Sequence, residues 1–137
     1  MSREDYKVEV LSSSFEKLRG SDKLRYSAFG DMNSIGNDLV PNKGDKYELD
    51  VIGYVDFAVH NDHAEGEKDY NTLVLILEDG ECVTTSSNPF RESFMDIYDC
   101  LSEDFKEDGI ENPIYKILAS RRATKDNKGT YMTCSVR

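Results

Sequence analysis

Residues 47–60, YELDVIGYVDFAVH, decide the fold because they predict one long strand with a single buried face. Successive side chains of a strand point to opposite faces, which gives a period of two. The odd positions form the predicted buried face: Tyr47, Leu49, Val51, Gly53, Val55, Phe57 and Val59. The even positions, including Tyr54, are predicted to face outward. Gly53 stands where a strongly coiled strand would bend, so this strand suits both halves of a small barrel.

Two more strands follow. Residues 61–69, NDHAEGEKD, read as a polar loop. Residues 70–87 read as two strands joined at Asp79-Gly80, a dipeptide that is a strong signal for a tight hairpin. The first three strands are therefore predicted to be neighbours in one sheet.

A helix is predicted over residues 87–105, where the apolar period changes to that of a helix. Ser87 or Asn88 can cap its start, and Pro89 suits the first helical position. Its apolar face consists of Phe90, Phe94, Ile97, Tyr98 and Leu101. Its opposite face carries the carboxylates of Glu92, Asp96, Asp99 and Glu103.

The chain ends in two further predicted strands, residues 114–121 and 129–136, joined by the basic turn 122–128. The order is therefore three strands, one helix and two strands. A five-stranded OB barrel with its helix between strands three and four has this order. We expect a mostly β fold with an OB-like barrel over residues 47–137. A strongly bent sheet packed on one helix would share the same order.

Residues 1–46 are predicted to be an N-terminal extension of the same domain. A strand is expected at residues 6–11, and a capping box predicts a short helix over residues 13–20. Residues 20–46 are rich in Gly, Ser, Asn and Asp, which indicates a long irregular connection. A chain of 137 residues fits a single domain, residues 1–137.

Charge is divided unevenly along the chain. The net charge of −10 argues against a nucleic-acid partner, because Lys and Arg carry phosphate binding. Residues 113–137, however, hold six cations and one acid, a net +5, which leaves −15 on residues 1–112. This split suggests a face with its own electrostatic role. A solvated basic hairpin without a partner would have the same composition.

The basic hairpin is the predicted site for a nucleic-acid strand. In OB barrels a single strand crosses the face of strands two and three, between the loop joining strands one and two and the loop joining strands four and five. The cationic turn would be the second of these loops. Phosphate contacts are predicted from Arg121, Arg122, Lys125 and Lys128, with Lys116 as a weaker candidate. The acidic loop 61–69 would repel phosphate, so a bound strand should lean toward residues 121–131.

Exposed tyrosines are the predicted stacking platforms for bases. Tyr54 on the long strand and Tyr131 on the last strand are the best outward-facing candidates, and Tyr70 is a weaker one. Tyrosine is also favoured in strands for packing alone, so Tyr54 and Tyr131 could instead pack on a neighbour.

Three motifs in residues 47–137 also carry a resemblance: EDGECVTTSS, SFMDIYD and KDNKGTYMTCSV. This part of the chain resembles small phage-encoded single-stranded-DNA-binding proteins from phages of Gram-positive hosts. The resemblance implies non-enzymatic coating of single strands during replication. Recombination is a second setting that we expect, and replication proteins are expected as further partners. It places Lys128, Gly129 and Tyr131 on the family's terminal strand motif. Residues 1–46 are not explained by it.

Other classes of site lack a signal. No Ser-His-Asp or Cys-His pattern and no phosphate-binding Gly loop occurs, so we expect neither an enzyme nor a cofactor. His60 and His63 lie near Asp62 but lack a third well-placed ligand, so we expect no metal site. No membrane helix or signal peptide is predicted. Three unpaired cysteines indicate a reducing compartment, the host bacterial cytoplasm if a phage encodes the chain.

Two alternatives belong to other functional classes. The −15 on residues 1–112 and the acidic helix face fit an inhibitor that mimics DNA and occupies the groove of a host nucleic-acid-binding or defence protein. A plain protein–protein adaptor is the other, because a fold alone does not fix function. Exposed strand edges invite pairing, so a homo-oligomer is a further expectation.

Overall fold

The structure is a computed structural model that describes residues 6–63, 65–66 and 68–137. It is mostly β, as the sequence predicts. Its strands and α-helices are β1 (Tyr6–Ser13), α1 (Gly20–Tyr26), β2 (Asn33–Ser34), β3 (Lys46–Asn61), β4 (Asp69–Leu77), β5 (Cys82–Thr85), α2 (Asn88–Glu107), β6 (Tyr115–Ala123) and β7 (Thr130–Val136). A 3-10 turn (Phe29–Asp31) precedes β2, and a π-helical turn (Ile35–Leu39) follows it.

The sheet is organised on β3. Residues 46–51 of β3 pair with β6, and residues 51–60 pair with β4. β1 pairs with residues 55–61 of β3, on the edge opposite β4. β6 and β1 therefore follow one another along the same edge of β3. The sheet, in the order β2-β5-β4-β3-β6-β7, curls into a half-barrel.

The edge of β5 is occupied by the N-terminal extension. A barrel closed from β3 to β7 would require β5 and β7, the two end strands of that set, to pair. In the part of the chain that the structure describes, β5 pairs instead with β2, where Asn33 and Ser34 run parallel to Val83 and Thr84. The extension thus sits where closure would occur.

A β-bulge in β3 reverses the face to which each later side chain points. The register with β4 shifts between Val51 and Gly53, which leaves Ile52 as the extra residue. One inserted residue moves every later side chain to the other face. Leu49 and Val51 face the core beneath α2, and beyond the bulge Tyr54 faces that core too. Val55, Phe57 and Val59 are buried as predicted, but Tyr54 and Asp56 are buried too, so the prediction of a single buried face is wrong beyond the bulge. Tyr47 was also predicted to be buried, but it is exposed.

The two faces of the sheet carry separate cores. The first core lies against α2, which contributes Phe90 and Phe94. The second core lies beneath the N-terminal extension and contains Tyr26, Val55, Phe57, Val59, Val74 and Ile76. Asp56, on the α2 side, is buried and accepts a bidentate hydrogen bond from Arg91 of α2, with N–O distances of 2.6 to 3.0 Å. Both faces of β3 are therefore covered near its middle.

The N-terminal extension is more regular than predicted. The short helix begins at Gly20, where it was expected to end, and residues 14–19 form bends and irregular backbone. The reason is a long-range contact: the Ser14 hydroxyl accepts a hydrogen bond from the Tyr54 N–H at 2.9 Å. Residues 20–46, predicted to be irregular, contain α1, β2 and the two helical turns.

Two local predictions are confirmed. Gly80 has φ of 88° in the turn between β4 and β5, a conformation that glycine adopts without strain. Ser87 caps α2 by accepting a hydrogen bond from the Phe90 N–H at 3.4 Å, with Pro89 in the first turn. None of the helices in the described ranges is long and apolar enough to cross a membrane.

Candidate nucleic-acid interface

The β6–β7 hairpin presents a cation beside an aromatic ring. Arg122 and Tyr131 are directly opposed in the antiparallel ladder, so their Cβ atoms lie about 5 Å apart on the same face. Both are exposed, Tyr131 by 39%. Met132 and Cys134 point to the opposite face and are buried. Tyr131 therefore points outward, as the sequence predicts.

The turn at residues 124–129 uses its own acid internally. The Asp126 carboxylate accepts hydrogen bonds from the Thr124 hydroxyl (2.6 Å) and from the Lys128 N–H (3.1 Å). These bonds lower the pKa of Asp126 below its ordinary value, and the bond from Thr124 has the larger effect. The side chains of Lys125 and Lys128 are exposed and make no hydrogen bond or ion pair with the described residues.

Arg121 is half-buried and holds the hairpin to the N-terminal extension. Its Nε donates to the Val40 carbonyl (2.6 Å), and its Nη2 donates to the Gly36 carbonyl (3.1 Å). Its Nη1 donates to the Thr130 hydroxyl (3.0 Å). Arg122 makes no such bond within the described ranges, so these adjacent arginines, grouped by the sequence prediction, have different surroundings.

Two lysines that the sequence did not single out join the hairpin. The Arg121 N–H donates to the Asp45 carbonyl at 3.0 Å, so the segment before β3 runs beside β6. Lys43 Nζ approaches Asn127 Oδ1 at 3.5 Å. Lys46, the first residue of β3, is exposed in the ladder with β6. The sequence shows these charges but not their proximity to the hairpin, in which Asn127 lies 84 residues from Lys43.

The combined region, which we call the basic surface, is strongly cationic. It holds six basic residues, Lys43, Lys46, Arg121, Arg122, Lys125 and Lys128. Its two acids, Asp45 and Asp126, both accept backbone hydrogen bonds. Six cations against two acids give +4 on a protein whose net charge is −10. Local field rather than total charge decides how a surface meets phosphate.

Tyr54 is not part of the basic surface, and its predicted outward orientation is wrong. Its side chain is buried, and its ring packs edge-on against Phe94 and Tyr98, with centroid distances of 5.6 and 4.8 Å. The bulge at Ile52 causes this, because it turns Tyr54 toward α2. A stacking role for Tyr54 would require α2 to leave the sheet.

The two weaker candidates also lie away from the hairpin tip. Tyr70 is half-buried opposite Val59, toward the end of β3, whereas the hairpin adjoins its start. Lys116 is exposed on β6, six residues before Arg122, which is about 20 Å along a strand. It lies opposite Asp50 in the ladder. The structure therefore gathers Arg122, Lys125, Lys128 and Tyr131 but not these two residues.

One face of β4, a strand that would carry the binding face in the predicted OB order, is covered. In the OB order β4 and β5 are the second and third strands. Val74 and Ile76 on β4 belong to the second core, and Tyr26, Phe29 and Met32 of the extension pack there. A bound strand cannot follow this face while the extension is in place. The basic surface remains open.

At the far end of β3, His60 bridges two carboxylates. Its Nδ1 lies 2.6 Å from Asp69 Oδ1, and its Nε2 lies 2.9 Å from Asp62 Oδ1. The hydrogen bond to Asp69, followed by the charge of Asp62, raises the pKa of His60 above its ordinary value. Within the described ranges, no group of three or more ligand side chains is arranged to hold a metal ion.

Comparisons with known proteins give this chain no relatives. No protein-family model matches it, and no curated protein or solved structure matches it. Any functional conclusion therefore depends on the residues and geometry of this chain.

Proposed function

We propose that this protein binds single-stranded DNA without enzymatic activity and coats single strands during phage DNA replication or recombination. The observation that carries the proposal is the exposed pair of Arg122 and Tyr131, which adjoins lysines without acidic partners among the described residues. Replication proteins would be further partners, and the host bacterial cytoplasm would be the compartment.

Five of the six cations of the basic surface bind phosphates in this proposal, and the sixth, Arg121, holds the hairpin to the N-terminal extension. Arg122, Lys125 and Lys128 neutralise phosphates, and Lys43 and Lys46 extend the phosphate path along β6. The ring of Tyr131 stacks on a base, a contact worth about 1–3 kcal/mol that tolerates any base. The internal bonds of Asp126 fix the turn, so little order has to be gained on binding.

We further propose that the half-barrel is a variant of the OB barrel. Its support is the strand order from β3 to β7, with α2 between the third and fourth strands of that set, and the sharing of β3 between β4 and β6. The β6–β7 hairpin then corresponds to the loop between strands four and five. Because the extension covers the usual face, the bound strand would follow the hairpin instead.

Fluorescence anisotropy with a labelled oligothymidine tests this proposal. The test variant combines Arg122→Glu, Lys125→Glu and Lys128→Glu. The matched control combines Lys17→Glu, Lys23→Glu and Lys106→Glu, which make the same change in net charge on exposed residues outside the hairpin. The test variant should lose binding, and the control should keep it. Absence of wild-type binding even at low salt would exclude the proposal.

A second candidate is supported by α2. Its outward carboxylates are all exposed in the structure: Glu92, Asp96, Asp99 and Glu103. We propose as the alternative that this row mimics a phosphate backbone and binds a basic nucleic-acid-binding protein. Lysine substitutions in this row should abolish capture of such a partner but should not lower affinity for oligothymidine. Binding of oligothymidine without capture of any such partner by the wild type favours single-strand binding instead.

A further inference from the structure

β1 is a sheet edge with an unpaired side. It forms an antiparallel ladder with β3, from Tyr6 opposite Asn61 to Ser13 opposite Val55. It pairs with no other strand in the described part of the chain. Its second edge therefore presents backbone N–H and C=O groups that can bind another strand.

The two faces of β1 differ in character. Tyr6, Val8 and Val10 lie opposite β3 residues on the face that carries the second core. Tyr6 and Val8 pack against that core, but Val10 is 36% exposed, so the core is incompletely covered at this edge. Lys7 and Glu9 point to the other face and are both exposed.

We propose that a second copy of this chain covers this edge, with the two β1 strands antiparallel about a two-fold axis through Val8. In this register Val8 lies opposite Val8 of the partner, and Tyr6 lies opposite Val10 of the partner. Lys7 lies opposite Glu9 of the partner, twice by symmetry. The sheet then runs through both copies, and the apolar row of each second core continues across the axis.

Charge selects this register over its neighbours. A two-residue shift in one direction places Lys7 directly opposite Lys7 of the partner. A shift in the other direction places Glu9 opposite Glu9 of the partner. Like charges directly opposed across strands are destabilising. A one-residue shift would place the apolar row of one copy on the charged face of the other, so the proposed register alone satisfies both faces.

The proposed contact between the two copies is small, so we expect its affinity to be low. Five residues from each strand, Tyr6–Val10, bury less than the surface of a standard interface. The dimer should therefore be weak and depend on concentration. The proposal is independent of DNA binding, because it uses no residue of the basic surface.

Charge-swap variants test the dimer by sedimentation velocity over a micromolar-to-millimolar concentration series. Lys7→Glu alone and Glu9→Lys alone should each weaken self-association about tenfold, because two opposed pairs become repulsive. The double variant should restore it. An equimolar mixture of the two single variants should also associate, since each then meets its complement. Lys17→Glu, a control with the same charge change as Lys7→Glu, should have no effect.

Three results would overturn the proposal. One is a monomeric wild type across the whole series. Another is self-association that neither single variant weakens, which would place the contact elsewhere. The third is failure of both the double variant and the mixture to recover association, with circular dichroism showing them folded.

Discussion

Arg122 and Tyr131 face each other across the β6–β7 ladder, exposed on the same side of the sheet. One position earlier on β6, Arg121 points the other way and is held by carbonyls of the extension. The alternation of side chains along one strand thus separates an arginine that stabilises the fold from one that can meet a ligand.

Replacing Tyr131 by alanine should weaken single-strand binding. Loss of one stacking contact should cost about 1–3 kcal/mol of binding free energy, whereas Tyr131→Phe should keep most of it. Tyr47→Ala is the matched control, because Tyr47 is 44% exposed but lies opposite Ala119 on the other face of the sheet. Anisotropy titrations measure all three variants. Equal losses of binding free energy for both alanine variants would show that Tyr131 does not contact the bound strand.

Alanine substitutions of the two adjacent arginines should have different effects on the free energy of unfolding. Arg121→Ala should lower the free energy of unfolding by about 2–3 kcal/mol, because hydrogen bonds from a charged group to Gly36 and Val40 are lost. Arg122→Ala should change it by no more than about 0.5 kcal/mol. Urea denaturation of the two variants measures the difference. Similar stability losses for both would contradict the assignment of Arg121 as the structural residue.

Local signals in the sequence are sufficient to predict several elements of the fold. The hairpin at Asp79-Gly80 and the Ser87 cap are found where they were predicted, because turn and cap chemistry depends on residues close in sequence. The basic turn is likewise a local feature. These elements fix most of the strand order.

Long-range contacts explain the errors. Tyr54 is buried because a bulge changes the face of the strand, and the alternation of residues 47–60 does not reveal that bulge. The helix predicted over residues 13–20 is absent, since Ser14 bonds to the backbone of Tyr54 instead. The role of Arg121 depends on acceptors more than 80 residues away. A sequence read in local windows contains none of these pairings.

Gly53→Ala should destabilise the bulge. A Cβ at this position would lie 2.8 Å from the Ser14 hydroxyl oxygen, which bonds to the Tyr54 N–H. Overpacking of this kind costs about 1–3 kcal/mol. In a Ser14→Ala background the same substitution should cost clearly less, because the clashing atom is gone. Urea denaturation of the four combinations checks this. Equal costs in both backgrounds would contradict the contact.

His60 should titrate above the ordinary histidine range. Its pKa is raised by Asp69 and Asp62, so its stabilising effect is fully present below the unfolded pKa of about 6.5 and disappears as pH rises through the folded pKa. Asp69→Asn should bring the pKa of His60 down toward 6.5. An NMR titration of the imidazole signals measures it, with Asp79→Asn as the control. A wild-type pKa that Asp69→Asn leaves unchanged would refute the bridge.

An amide NMR titration with oligothymidine tests the central claim, that the basic surface is the binding site. Shift changes should concentrate on residues 121–131 and 43–46, and should fade with salt, because neutralised phosphates release counterions. Loss of the three cations Arg122, Lys125 and Lys128 should reduce the slope of log affinity against log salt by about 2. Shift changes centred on β4 and β5, or none at low salt, would contradict the claim.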